Sequence, residues 1–130
     1  MSDERDDRLR EHPRDRFAPA ERLIDLDEQF DDLLSEPHGA VEGHRQIALA
    51  HRKGMRLVLM HFEEGGHVPD HQVDGAVTIH VLEGDLDIST SENDHRVNSG
   101  QMLMLKPGVN HEIEARTASK MLMTVAVGND

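Results

Sequence analysis

The chain has 130 residues, no cysteine, tryptophan or tyrosine, and a formal net charge of −12. That length fits one domain with its own core, and the lack of thiols removes disulfides and thiolate-zinc sites, leaving histidine, carboxylate and amide as metal ligands. An acidic surface repels phosphate backbones and three phenylalanines make no stacking platform, so no nucleic-acid partner is expected.

The opening stretch MSDERDDRLR lacks the apolar core of a signal peptide, and no later apolar run approaches a bilayer span. The expectation is a cytoplasmic protein without a membrane partner. Residues 1–36 carry 13 Asp/Glu against 6 Arg, which concentrates the negative charge at this end. Within them, residues 1–19 alternate in charge, contain two prolines and have few apolar side chains, the composition of a disordered acidic arm. Residues 20–36 are predicted to hold an extended stretch and a short helix. Leu23, Leu26, Phe30 and Leu33 recur at helical spacing, and Asp25 with Glu28 three residues on resembles a capping box. The helix is therefore predicted from about Leu26 to Ser35, with its apolar stripe packed on its own domain or on a twin subunit.

Residues 37–130 change character to short strands and turns. HRQIALAH and MRLVLMHFE flank RKG and predict a hairpin. AVTIHVLEG, DLDISTS, HRVNSG, QMLMLKPG, HEIEAR and KMLMTVAV follow at regular spacing, with Gly, Asn and Pro between them. Such a series without a long helix predicts an all-β barrel or sandwich.

Two stretches within it form a pair. GGHVPDHQVDGAVTIHVLEGDLDI resembles the first motif of the cupins, in which a glycine precedes a histidine pair, a glutamate and a strand ending in Val-Leu-x-Gly. GQMLMLKPGVNHEIEA resembles the second, a glycine, an apolar strand, a Pro/Gly turn and a histidine three residues past the turn glycine. The resemblance implies a single-domain cupin double-stranded β-helix, a jelly-roll-like barrel with a short N-terminal helical segment. It further implies a small-molecule pocket inside one end of the barrel, and a homodimer.

Cupins commonly hold a divalent metal through two histidines and a glutamate of the first motif and one histidine of the second. Here His71 matches the first histidine and His111 the last. Counted back from Gly84, the second histidine position is Val73 and the glutamate position Val77, and neither side chain can coordinate a metal. Lys106 stands where the second motif usually has proline, while Gly108 still supplies the turn. A catalytic zinc or iron site usually needs three protein ligands. His67 is the candidate third, because an extended HVPDH segment would place residues 67 and 71 on one face. Asp70, Gln72 and Asp74 are alternatives, since Pro69 and Asp74-Gly75 are turn signals that make parity unreliable here. The candidate metal set is thus His67, His71 and His111, and the candidate pocket His71, His111, Val73, Val77, Ile79 and Met104. The cofactor expectation is none, or a divalent ion (Zn, Fe, Mn or Ni) held weakly.

Two functions fit these residues. The first is a cupin-like protein that binds a small molecule with weak or no metal. The second is a metal-dependent enzyme of oxygenase or isomerase type using His71 and His111. A structural dimer without a ligand is a third class. Arg45, Arg52, Arg56 and Arg96 are candidates for clamping an acidic ligand. His80 is read as an ordinary partly buried imidazole facing away from Val77, Ile79 and Val81, and His61 could point either way. The methionines on predicted strands, Met55, Met60, Met102, Met104, Met121 and Met123, are read as core filling in a chain short of aromatics.

Overall fold

The structure is a computed structural model that describes residues 20–126, so the expected arm at residues 1–19 lies outside the described residues. Among the described residues one helix, α1 (Leu26–Leu34), precedes nine strands. They are β1 (His44–Arg52), β2 (Met55–Phe62), β3 (His67–His71), β4 (Ala76–Glu83), β5 (Asp85–Thr90), β6 (Asp94–Asn98), β7 (Met102–Leu105), β8 (His111–Ala115) and β9 (Ser119–Ala126).

The strands form two antiparallel sheets, one ordered β1-β2-β9-β4-β7 and the other β3-β8-β5-β6. The jelly-roll expectation holds in this form, with one correction: the sheets are not closed into a continuous barrel, and they meet face to face as a sandwich. Alternation builds the core between them. Val77, Ile79 and Val81 of β4, Met121, Met123 and Val125 of β9, and Val58, Met60 and Phe62 of β2 face inward from the larger sheet. Leu86 and Ile88, Val97, and Ile113 with Ala115 meet them from the smaller. These side chains are buried, and burying each contributes about 1.5–3 kcal/mol.

The outer face of the larger sheet is apolar too, because α1 covers part of it. Phe30 and Leu33 are buried there against Leu49 and Leu59. The helix begins where its cap predicts, since the Asp25 carboxylate accepts a hydrogen bond from the Glu28 N–H at 3.1 Å. Leu23 departs from the expected stripe. It precedes the cap, lies outside the helix and is fully exposed.

Opposite ends of the sandwich differ. At one end Ser119 is buried, accepting from the Asp85 N–H at 3.0 Å and donating to the Thr117 carbonyl at 2.8 Å, which ties the start of β9 to β5. On the outside of the smaller sheet Arg96 grips Asp85 at 2.8 Å and Arg116 binds Asp87 at 2.9 Å. The Arg96 hydrogen bonds hold the Asp85 carboxyl below its usual range. The other end is where the motif histidines stand.

Candidate functional site

The His71–His111 end is assembled by two crossings of the chain. The segment between β3 and β4 runs beside the turn between β7 and β8, where the Gly108 N–H donates to the Val73 carbonyl at 2.9 Å and the Gln72 amide donates to the Gly108 carbonyl at 2.9 Å. Gly108 has φ +82°, a conformation that suits glycine and lets this turn close despite Lys106. Strands β3 and β8 pair directly, and His71 stands opposite His111 in their ladder. In the larger sheet Val77 pairs with Leu105 on one side and with Val125 on the other. The histidine end of one sheet therefore lies over the Val77 end of its partner.

His111 begins the inward-facing row of β8 and is 2% exposed. Its Nδ1 lies 3.1 Å from the Val109 carbonyl. A carbonyl only accepts, so this bond favours a proton on Nδ1. Val77 is 3% exposed and Ile79 fully buried, and both belong to the core, with Val73 packed against it.

Two of the expected site residues lie elsewhere. Met104 is 73% exposed, because Leu103 and Leu105 take the inward positions of β7 and leave Met102 and Met104 on the outside. His67 pairs with Glu114, and its side chain is 51% exposed with Nε2 3.9 Å from Glu42. The register shifts between Val68 and His71, so the stretch holding Pro69 inserts an extra residue against β8. The backbone of His67 thus pairs with Glu114 and that of His71 with His111, and the unbroken strand expected over this segment is interrupted between them. Of the alternative oxygen donors, Asp70 and Asp74 are exposed, and Gln72 is engaged with Gly108.

The donor set can be compared with what a divalent ion needs. Val77 and Val73 offer no lone pair, and among the described residues no three His, Asp or Glu side chains group to hold a metal. These residues do not fit the three- or four-ligand site of a catalytic zinc or iron.

The remaining candidates divide cleanly. His61 and His80 lie on the outward rows of β2 and β4; alternation anticipated this for His80, while His61 could have faced either way. Burial, with Lys120 beside it, pushes the His61 ring below its usual pKa, so it is neutral at pH 7. Arg45 faces outward and donates to the Glu36 carbonyl, Arg52 pairs with Met55 in the outward row, and Arg96 is held by Asp85. Arg56 alone of the four falls on the inward row, two residues before Val58 and directly opposite Val125. Sequence reasoning left these four equivalent; once packing shows Phe62, Met60 and Val58 facing inward, counting back by twos separates Arg56.

Comparison with known proteins agrees with this layout. The cupin domain family matches residues 58–127, over half of the chain. The chain belongs to the cupin family. Among solved structures, a cupin superfamily protein from Desulfitobacterium hafniense shares 22% identity, with 85% of this chain and 94% of that one covered at TM-score 0.67. A conserved protein of unknown function from Streptococcus pyogenes shares 19% identity, covering 84% of this chain and 90% of that one, also at 0.67. Salicylate 1,2-dioxygenase from Pseudoaminobacter salicylatoxidans, solved as adducts with gentisate, shares 16% identity at TM-score 0.65, covering 78% of this cupin and 31% of the dioxygenase. These likenesses establish the fold. A search of the curated proteins finds no match. Among the described residues no helix of this cupin is long and apolar enough to cross a membrane.

Proposed function

We propose that this cupin binds a small molecule between its sheets at the His71–His111 end, holding a divalent metal weakly or not at all. The observation that carries the reading is Val77. It is buried in the inner wall at the position where the family motif places a metal-binding glutamate, so the wall gains apolar surface and loses the anionic ligand. A divalent ion there would lack charge compensation in a poorly hydrated site. An apolar wall with a few convergent polar groups is instead the usual chemistry of a small-ligand pocket.

The metal-dependent enzyme is the second reading, favoured by one observation: the ladder sets His71 opposite His111. Elemental analysis of untagged protein purified without added metal separates the two. The expected content is well below one metal per chain, with no oxygenase turnover after adding iron, manganese, nickel or copper. A tightly held stoichiometric metal would overturn the first reading and promote the second.

A homodimer through the outer face of β4 and β7 belongs to the same proposal. Met102 and Met104 are 54% and 73% exposed there, in register with His80 and Thr78. Exposed methionines on an edge strand form an adaptable apolar surface that a second copy would cover. Light scattering after gel filtration is expected to give twice the monomer mass, and Met102→Glu with Met104→Glu to give the monomer. A monomer mass for the unmodified chain at every concentration would refute the dimer.

A further inference from the structure

Arg56 is the feature of this end that the degenerate metal motif does not explain. It sits on the inward row of β2, in a line across the larger sheet that runs Arg56, Val125, Val77, Leu105. Its Nε is buried, and among the described residues it has no hydrogen-bond partner. Other arginines donate hydrogen bonds within the protein: Arg22 to the Leu49 carbonyl, Arg45 to the Glu36 carbonyl, Arg96 to Asp85 and Arg116 to Asp87.

A shortage of acids does not account for the difference. The chain has 26 Asp/Glu against 14 Lys/Arg, so a carboxylate is available for almost any exposed arginine. Buried N–H groups are nearly always paired, and a guanidinium nitrogen left unpaired beside valines costs stability unless something else completes it. The planar fork of arginine matches a carboxylate, to which it donates two parallel hydrogen bonds. The neighbours of Arg56 in its row are aliphatic, so the body of such a ligand would be apolar.

We propose that Arg56 anchors the carboxylate of a small monocarboxylic acid whose apolar body lies along Val125, Val77 and Leu105. His111 lies on the inner face of the opposite sheet at the same end. The assignment rests on the reading that this cupin binds a small molecule between its sheets, and it names the chemical class of that molecule.

The probes are hexanoate and its neutral counterpart hexanamide, titrated into the full-length protein at constant ionic strength. Binding is followed by the resonances of Val77, His111 and the Arg56 Nε–H. Hexanoate is expected to bind at least tenfold more tightly than hexanamide and to shift the Arg56 Nε–H. Arg56→Gln is expected to weaken hexanoate by roughly ten- to a hundredfold, the effect of losing a charge-assisted hydrogen bond, and to leave hexanamide within about twofold. Arg56→Lys should recover part of the loss, because an ammonium keeps the charge without the fork. In the absence of ligand, Arg56→Gln should melt no lower than the unmodified protein, since its Nε has no partner to lose.

Three results would overturn the proposal, and they are distinguishable. Equal binding of acid and amide, unaffected by Arg56→Gln, would remove Arg56 from the site and leave the small-molecule reading standing. No shift at Val77 or His111 with either probe would remove both. A large fall in the melting temperature of ligand-free Arg56→Gln would make the arginine structural.

Discussion

Replacing Val77 with Glu and Val73 with His in one chain is expected to make stability depend on a divalent metal. Val77 is 3% exposed, so the new carboxylate would sit in the core with no counter-charge on an adjacent strand, Arg56 lying two strands away in its row. The metal-free double variant should therefore lose about 3 kcal/mol relative to the unmodified chain. That corresponds to a fall of roughly 10–15 °C in melting temperature for a domain of this size. Zinc, nickel or manganese would supply the missing positive charge to a set completed by the motif histidines. At a free concentration a thousand times its dissociation constant, the ion would return about 4 kcal/mol. Thermal melts of both proteins with and without each metal make the comparison. The unmodified chain should shift by no more than a degree or two. An equal shift in the two proteins would mean that Val77 and Val73 are not where the ligand set was lost.

A second large effect is expected at the Ser119 end of the sandwich. Gly84 has φ +107°, and a Cβ built there would lie 2.2 Å from the Ser119 hydroxyl and 2.7 Å from the Ala118 carbonyl. The hydroxyl cannot swing aside freely, because it accepts from the Asp85 N–H and donates to the Thr117 carbonyl. Gly84→Ala therefore combines a disfavoured backbone conformation with a clash against a fixed group. It is expected to cost about 3 kcal/mol and at least ~10 °C in melting temperature. Gly100 is the control, with φ +86° and open space around a built Cβ. Gly100→Ala should cost only about 1 kcal/mol. Equal melting of the two variants would show that conformation alone, without the close approach to Ser119, requires glycine at position 84.

Much of the architecture could be read in advance because each strand carries its own signal. The hairpin of β1 and β2, the β4–β5 turn at Gly84 and the β8 strand all fall where alternation and turn residues place them. The Asp25 cap likewise sets the start of α1, since a short polar side chain before an apolar-periodic stretch has few other uses.

The site was less legible, and for one recurring reason. In β7, MLML is apolar at every position, so alternation cannot say which pair faces the core. Packing against the smaller sheet selects Leu103 and Leu105 and turns Met104 outward. In β2, Leu57 and Leu59 are as apolar as Val58 and Met60 because α1 covers the outer face, and this hides the parity that places Arg56 inside. In β3 the ladder shifts register past Val68, so spacing alone could not fix the pairing of this segment.

Sequence alone determined the strand-rich class, the capped helix, the cupin motifs and the loss of ligands at Val73 and Val77, because each of these is a property of residue type and short-range spacing. Tertiary structure alone decided which side of each strand is the inside. It set His67 and Met104 on the surface, brought the Val77 end of one sheet over the His111 end of the other, and left the Arg56 Nε buried without a partner among the described residues. A strand that is apolar on both faces, or that carries a bulge, has no orientation until a second sheet and a helix pack against it.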